Sequence, residues 1–219
     1  MNIVILSDRG VDRTHAAIPA LLAVSAVEQH LIRTKKRTAV SVILESAEVR
    51  DVHQAALCLG YGARAVNPYL AHEAIAEMID QKLLDKDYHT AIDDYNKAIL
   101  NGIVKIAAKM GISTIQSYQS AQIFEAVGIA KEVIDTYFTN TVSRVEGITL
   151  KEIEEDMLYH HSKGFDPSGL TVNDHLDSVG KHKFRRGEAA ETHLYNPETI
   201  VALQQATRNG DYKRFKEYT

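Results

Sequence analysis

The feature of this sequence that most constrains its fold is an alternation of short β-branched runs with longer helical segments. Residues 2–7 (NIVILS) and 38–46 (TAVSVILES) are strand-like, and a segment with apolar residues at helical spacing follows each of them. We predict two further strands, a short one within residues 63–71 and a fourth at residues 112–118 (ISTIQSY). Four strands that are each followed by helix indicate parallel βα units. This α/β pattern fits a doubly wound sheet or one half of a (β/α)8 barrel, and the spacing alone does not choose between them.

Helical segments make up most of the remaining sequence. The predicted helices cover residues 17–33, 47–60, 72–84, 89–110, 120–127 and 131–138. After about Thr149 the pattern changes to one charged amphipathic helix at residues 150–164, an irregular stretch to Pro197 and two short helices. The sequence therefore predicts an α/β region over residues 1–149 and a helical and irregular tail over residues 150–219.

Composition and charge exclude several classes of protein. A formal net charge of −4 gives the chain no basic surface for nucleic acid. Its apolar runs fall short of the ~20 residues that a membrane span needs, and residues 1–8 lack the basic start of a signal peptide. The single cysteine, Cys58, excludes an internal disulfide and an all-cysteine metal site. We expect a cytoplasmic protein that binds neither nucleic acid nor membrane.

The stretch Gly60-Tyr61-Gly62-Ala63-Arg64-Ala65 spells the G-x-G-x-x-A motif of dinucleotide-binding proteins. A working motif follows a strand and opens a helix, so that the pyrophosphate meets the amides of the helix N-terminus. Here a predicted helix precedes the glycines and a predicted strand follows them. We therefore interpret Gly60 as a helix end and Gly62 as part of a tight turn, and we predict no nucleotide at this motif.

The carboxyl ends of the predicted strands carry polar side chains, and parallel sheets bind ligands at this edge. Polar residues also begin ordinary loops, and Asp8 with Arg9 could be a loop-ordering ion pair. The candidate functional face consists of Asp8, Arg9, Glu45, Asn67, Tyr69, Gln116 and Tyr118.

Motifs for other chemistry are missing from the sequence. The ten histidines show no H-E-x-x-H spacing, and His160 and His161, adjacent on a helix, do not face one ion. The nucleophile motif G-x-S-x-G is absent as well. We therefore assign no catalytic, cofactor-binding or metal-binding residue.

Four long stretches together resemble the large subunit of glutamate synthase. They are LSDRGVDRTHAAIPALLAVSAVEQHLIR (6–33), RDVHQAALCLGYGARAVNPYLA (50–71), residues 101–153 from NGIVKI to TLKEI, and FRRGEAAETHLYNPETIVALQQATR (184–208). They occur in the family's order and cover most of the chain.

The resemblance implies a place within a longer enzyme. That family joins an amidotransferase domain, a central domain, an FMN-binding barrel with an iron–sulfur cluster and a β-helix-like domain. It forms glutamate from glutamine-derived ammonia and 2-oxoglutarate, with electrons from an NADPH-dependent small subunit or from ferredoxin. Residues 1–149 would be the later part of the central domain, a half or rudimentary (β/α)8 barrel, and residues 150–219 a linker toward the FMN-binding barrel.

By this resemblance the segment itself holds neither FMN nor the cluster and is not catalytic alone. It would link the amidotransferase and FMN-binding domains and shape the ammonia route, and a truncated barrel with exposed apolar edges would self-associate. The alternative is a free-standing α/β ligand-binding protein or small enzyme with its site at the strand carboxyl ends.

Two short stretches depart from the family's pattern. Where the family tends to Y-R-G-A-Q and F-T-G-T, this chain has YQSAQ (118–122) and FTNT (138–141). Ser120 and Asn140 thus stand where glycine is expected, which changes the freedom of two turns. The departures indicate a divergent member of the family, or one whose central domain is under relaxed constraints.

Overall fold

The first three predicted strands form one parallel sheet in the order β1-β2-β3, with β1 at Asn2–Ser7, β2 at Val40–Glu45 and β3 at Ala63–Asn67. The structure is a computed structural model that describes residues 2–165, 190–191 and 193–219. The chain divides into two compact units, residues 1–172 and 173–219. The α/β class predicted from the sequence is confirmed.

Four helices accompany this sheet: α1 at Ala20–Arg33, α2 at Val52–Gly60, α3 at Tyr69–Asp80 and α4 at Tyr88–Lys109. Asp51 and Asp87 begin α2 and α4 because their carboxylates accept hydrogen bonds from the backbone amides of Gln54 and Thr90. Side chains of α1, α2, β2 and β3 form an apolar core, and Ile99 and Ile103 of α4 pack against it. Its buried residues are Ala20, Val24, Leu44, Val49, Ala55, Cys58 and Ala63.

The predicted order around the G-x-G-x-x-A stretch is confirmed, because α2 ends at Gly60 and β3 begins at Ala63. Gly62 between them has φ +121°, a conformation that L side chains rarely adopt. The glycines therefore make a helix-to-strand turn, and no helix N-terminus is available there for phosphate.

The prediction of a fourth strand at residues 112–118 is wrong. The structure has a single helical turn there, α5 at Ile115–Tyr118, which begins where the Thr114 side chain accepts a hydrogen bond from the amide of Ser117. The helix predicted at residues 120–127 is also wrong. Ser120 and Gln122 have φ of 61° and 54°, values that no right-handed helix contains.

A second parallel pair of strands replaces the predicted fourth unit. It consists of β4 at Glu125–Ile129 and β5 at Val142–Ile148, joined by α6 at Lys131–Tyr137. The helix at α6 was predicted, whereas β5, with its mixed polar sequence VSRVEGI, was not. In the described residues the five strands form two sheets, of three and two strands. A half-barrel stays a prediction from the family resemblance.

Three further helices follow. In the first unit, α7 at Leu150–Gly164 confirms the predicted amphipathic helix, and Thr149 with Glu152 forms a capping box at its start. The second unit contains α8 at Pro197–Asn209 and α9 at Tyr212–Tyr218, which confirm the two short helices. Most of the predicted irregular stretch, residues 166–189 and 192, lies outside the described residues. None of the helices described is both long and apolar enough to cross a membrane.

Candidate functional site

Polar side chains gather at the carboxyl edge of the three-stranded sheet because its register aligns the strand ends. Ser7 lies opposite Glu45, and Glu45 lies opposite Asn67. We call the group of side chains at this edge the carboxyl-edge network. Its members are Ser7, Asp8, Arg9, Glu45, Asn67, Tyr69 and Glu73.

Glu45 is the centre of the carboxyl-edge network. Its Oε1 accepts hydrogen bonds from Arg9 Nε at 2.8 Å and from Asn67 Nδ2 at 3.1 Å, and its Oε2 accepts one from Ser7 Oγ at 2.7 Å. These bonds favour the ionised form, and the hydrogen bond from Arg9 contributes most to lowering the pKa of Glu45. Glu45 is therefore a charged anchor with both oxygens engaged.

Arg9 connects the loop after β1 to helix α3. Beyond its bond to Glu45, its Nη1 lies 3.3 Å from Glu73 Oε1, and its guanidinium carbon lies 3.9 Å from the centre of the Tyr69 ring. Such stacking of a guanidinium on an aromatic face is attractive because the ring face is electron-rich. Arg9 thus links the loop after β1 to the end of β2 and to the N-terminal part of α3.

Asp8 orders the loop after β2. Its carboxylate accepts hydrogen bonds from Ser46 Oγ at 2.9 Å and from the amide of Ala47 at 2.8 Å. Burial raises the pKa of Tyr69 to about 12, and the nearby Asp8 carboxylate acts in the same direction. The Tyr69 hydroxyl therefore stays protonated near neutral pH.

Two cavities lie beside the two edge strands of the sheet, β1 and β3. One of about 460 Å³ lies beside β1 and the start of α1, where Asp8, Glu45 and His15 line it together with apolar side chains such as Ile18. Another, of about 570 Å³, lies beside β3 and α4 and is largely apolar. The polar groups of the carboxyl-edge network therefore border space large enough for a small molecule or for a segment of another domain.

Five of the seven predicted face residues lie together in this network: Asp8, Arg9, Glu45, Asn67 and Tyr69. The other two do not join it, because residues 112–118 do not form a strand. Gln116 is exposed on α5. Tyr118 is buried near Phe124, and the neighbouring Gln119 donates to the carbonyl of Ala63 at the amino end of β3.

Two members of the network were missed by the sequence reasoning. Ser7 is the last residue of β1, and Glu73 stands four residues after Tyr69 on α3. The i, i+4 spacing of Tyr69 and Glu73 places both on one helix face, which was a readable signal for Glu73.

Cys58 is unsuited to nucleophilic or metal chemistry. It is buried in the apolar core, and this burial raises the pKa of its thiol to about 12. As the chain's single cysteine it does not fit an iron–sulfur cluster, which several cysteine thiolates hold. Within residues 2–165 and the described part of the tail, no three His, Cys, Asp or Glu side chains form a metal-binding group.

Comparisons with known proteins agree on one family. A family model described as "Glutamate synthase central domain" matches residues 1–130. The chain is 46% identical over its whole length to "Glutamate synthase [NADPH] large chain" of Bacillus subtilis. It is 38% identical to "Glutamate synthase [NADH]" of Schizosaccharomyces pombe and 36% identical to "Ferredoxin-dependent glutamate synthase, chloroplastic" of Spinacia oleracea, over 99% of its length in both cases. The chain spans only 10–14% of the length of these relatives.

Proposed function

The chain belongs to the glutamate synthase family, and from that membership we propose that it works as a segment of a longer glutamate synthase large chain. Residues 1–149 would be the later part of the central domain, and residues 150–219 would lead toward the FMN-binding barrel. The longer enzyme would form glutamate from glutamine-derived ammonia and 2-oxoglutarate with reduced FMN, in the cytoplasm.

In this proposal the segment links the neighbouring domains and has no catalytic activity of its own. FMN and the iron–sulfur cluster would be held elsewhere in the longer chain, in line with the single buried cysteine of this segment. Its partners would be the amidotransferase and FMN-binding domains. Electrons would come from an NADPH-dependent small subunit or from ferredoxin, because relatives of both kinds match over the same residues.

The proposal rests on the hydrogen bonds and ion pairs that engage the charged side chains of the carboxyl-edge network with one another and with backbone amides. Asp8, Glu45 and Arg9 are each engaged by neighbouring side chains or backbone amides. A general acid, base or nucleophile needs a free, accessible group with a tuned pKa. Side chains that bind one another and fix three loops instead build a rigid surface, which suits an interface or the wall of a passage between domains.

A segment exchange tests the proposal. The matching segment of the Bacillus subtilis large chain would be replaced by this 219-residue chain, and glutamine-dependent glutamate formation would be measured with the NADPH-dependent small subunit. We expect the hybrid to make glutamate, and a Cys58→Ala hybrid to make it equally well because Cys58 performs no chemistry. A hybrid that binds FMN and hydrolyses glutamine but forms no glutamate would contradict the assignment.

The free-standing alternative has its own test. Purified by itself, the chain should be colourless and should show no glutaminase or synthase activity. Tightly bound flavin, or turnover of a substrate by the isolated chain, would favour an independent enzyme and would count against the proposed organising role.

The exposed edge of β1 supports self-association of the isolated chain. Ile3 and Ile5 are exposed on this strand, and in the described residues β1 pairs on one side only. We expect a second copy to cover this edge, giving a dimer or larger species by light scattering. An Ile5→Lys variant should shift the mass toward the monomer, and a clean monomer of the unaltered chain would refute this expectation.

A further inference from the structure

Helix α7 reaches back to the loop that follows β1. We call residues 8–19, between β1 and α1, the β1–α1 loop. His161 lies in the last turn of α7, and its Nε2 is 2.6 Å from the carbonyl oxygen of Asp12 in this loop. Among the described residues, His161 is the only α7 side chain that forms a hydrogen bond with a residue outside the helix and its cap. The bond therefore joins two segments that lie 149 residues apart in the sequence.

The chemistry of the two atoms fixes the direction of this hydrogen bond. A carbonyl oxygen only accepts, so the proton lies on Nε2 of His161 and is donated to Asp12. The imidazole ring also lies against the ring of Phe165, one helical turn later, with the ring centres 4.8 Å apart. This contact between residues at i and i+4 limits the rotation of the imidazole and helps to keep Nε2 directed at the loop.

The acceptor belongs to a turn that is closed by its own hydrogen bonds. The Asp12 carboxylate accepts hydrogen bonds from the amides of Thr14 at 2.7 Å and His15 at 2.9 Å, and the Asp12 amide donates to the His15 carbonyl at 3.1 Å. The bond from Thr14 contributes most to lowering the pKa of Asp12, so the carboxylate is ionised and keeps these bonds near neutral pH. Residues 12–15 therefore move as a unit, and holding the Asp12 carbonyl holds the whole turn.

This turn continues into the wall of the cavity beside β1. The Val11 amide donates to the carbonyl of Asp8 at 3.1 Å, which connects the turn to the carboxyl-edge network. Among the loop residues that line this cavity of about 460 Å³ are Asp8, Val11, His15 and Ile18. The position of the β1–α1 loop therefore decides the shape of one side of the cavity.

The first half of α7 is held by a different part of the molecule. Ile153 packs against the buried cluster of Val133, Ile134 and Phe138, which also packs against β4 of the second sheet. His161 follows Ile153 by about two helical turns, or ~12 Å along the helix axis at ~1.5 Å per residue. A rigid helix that is anchored at two points transmits a displacement of one point to the other. Helix α7 thus connects the second sheet to the loop at the carboxyl edge of the first.

We propose that His161 is a positioning residue through which α7 holds the β1–α1 loop and one wall of the cavity at the carboxyl edge. The inference deepens the proposed function, and its functional consequence rests on that function, because the tail after α7 would lead toward the FMN-binding barrel. A displacement of α7 by that barrel would then change the cavity wall, which borders the proposed interface with the other domains.

Amide hydrogen exchange of the 219-residue chain tests the bond itself. Four amides that are hydrogen-bonded within the loop report its opening, those of Val11, Asp12, Thr14 and His15. His161→Phe keeps a ring on α7 but removes the donor, and we expect exchange at these amides to rise about three- to tenfold, as the loss of one hydrogen bond permits. The amides of α2 are the internal reference and should exchange at unchanged rates. Unchanged rates in the loop, or an equal rise in α2, would overturn the proposal.

Two further variants separate the hydrogen bond from the helix that carries it. His161→Gln retains an N–H donor that reaches about as far as Nε2, and we expect exchange in the loop to stay within about twofold of the unaltered chain. His160→Phe is the matched control, because His160 is the neighbouring, exposed residue, and its Nε2 lies 3.6 Å from Asp156 Oδ1 on the same helix. A rise of the same size in His160→Phe, or in His161→Gln, would refute the bond to Asp12 as the cause.

The hybrid large chain described above tests the functional consequence. We expect His161→Phe to raise the ratio of glutamine consumed to glutamate formed, and His161→Gln and His160→Phe to leave it close to that of the unaltered hybrid. An active hybrid with an unchanged ratio in His161→Phe would overturn the role of His161 at the proposed interface. If the unaltered hybrid made no glutamate, the proposed function itself would fail, and hydrogen exchange would still decide whether His161 positions the loop.

Discussion

Two arginine–glutamate pairs lie at opposite ends of the same sheet, and they show how burial changes the effect of an ion pair on pKa and stability. At the carboxyl end, Arg9 and Glu45 have side chains that are 48% and 22% exposed. At the amino end, the Arg37 and Glu28 side chains are 21% and 2% exposed. Both pairs join a guanidinium Nε to a carboxylate Oε1.

The two carboxylates respond in opposite ways. The hydrogen bond from Arg9 lowers the pKa of Glu45, whereas burial raises the pKa of Glu28 in spite of Arg37. At the exposed end water would solvate either charge alone, so the ion pair adds little to stability and mainly fixes the positions of the two side chains. At the buried end the pair compensates a charge that the interior would otherwise leave isolated. The exposed pair can therefore contact another domain, or be lost, with little effect on the stability of the fold, whereas the buried pair cannot.

The largest expected effect comes from breaking the buried pair. Arg37→Ala leaves the Glu28 carboxylate buried without its strongest partner, and we expect the free energy of unfolding to fall by about 3 kcal/mol or more. Urea denaturation measures this change. Arg9→Ala is the matched variant and should cause a clearly smaller loss that shrinks further at high salt. Equal losses in the two variants would mean that burial does not distinguish the pairs.

The pH dependence of stability sharpens the same contrast, because the pKa shifts of the two carboxylates have opposite signs. The folded-state pKa of Glu45 lies below its ordinary value of 4.5, so Glu45 stabilises the fold above that pH, and this contribution is lost as the pH falls through the lowered pKa. The pKa of Glu28 is raised above 4.5, so its contribution is complete at lower pH and is lost as the pH rises through the raised value.

Glutamine variants make these signs measurable. We expect the unfolding free energy of the unaltered chain, minus that of Glu45→Gln, to increase between about pH 3 and pH 6. The same difference for Glu28→Gln should decrease as the pH rises from about 4.5. Urea titrations across this range provide both curves. Curves of the same sign would contradict the assignment of the two environments.

The smallest effect concerns the left-handed turn at Ser120. Ser120→Gly should raise the free energy of unfolding by up to about 1 kcal/mol, because glycine adopts a φ of 61° without steric strain. Lys82→Gly is the matched variant, with a φ of 59° in an exposed turn. We expect both variants to gain stability in thermal unfolding. Loss of stability in Ser120→Gly would mean that its side chain contributes more than the strain removes.

The carboxyl end was largely readable from the sequence, and the amino end was not. Parallel strands end at one edge, so Asp8, Glu45 and Asn67 could be placed together from strand order alone. The buried end depends on contacts between residues of different elements. Glu28 on α1 pairs with Arg37, and the turn at Gly62 packs against its side chain. A glutamate on an amphipathic helix carries no signal that it is buried until its partners are known.

The second sheet was missed for a related reason. Residues 112–118 are rich in β-branched side chains, but Thr114 caps a single helical turn, and the left-handed Ser120 and Gln122 then redirect the chain into β4. Local propensity favoured a strand, but the cap at Thr114 and the left-handed turn after Tyr118 decided otherwise. This is also why Gln116 and Tyr118 were assigned to the wrong end of the sheet.

The most direct test of the central claim, that the carboxyl-edge network builds an interface between active sites, uses the hybrid large chain described above. The measurement is the ratio of glutamine consumed to glutamate formed, in hybrids carrying Arg9→Ala or Lys86→Ala. Lys86 forms an exposed ion pair with Asp94 outside the network, so it controls for loss of a surface charge. We predict that Arg9→Ala raises the ratio, because ammonia is lost between the active sites, while Lys86→Ala leaves it unchanged. An unchanged ratio in Arg9→Ala, with both half-reactions intact, would contradict the account.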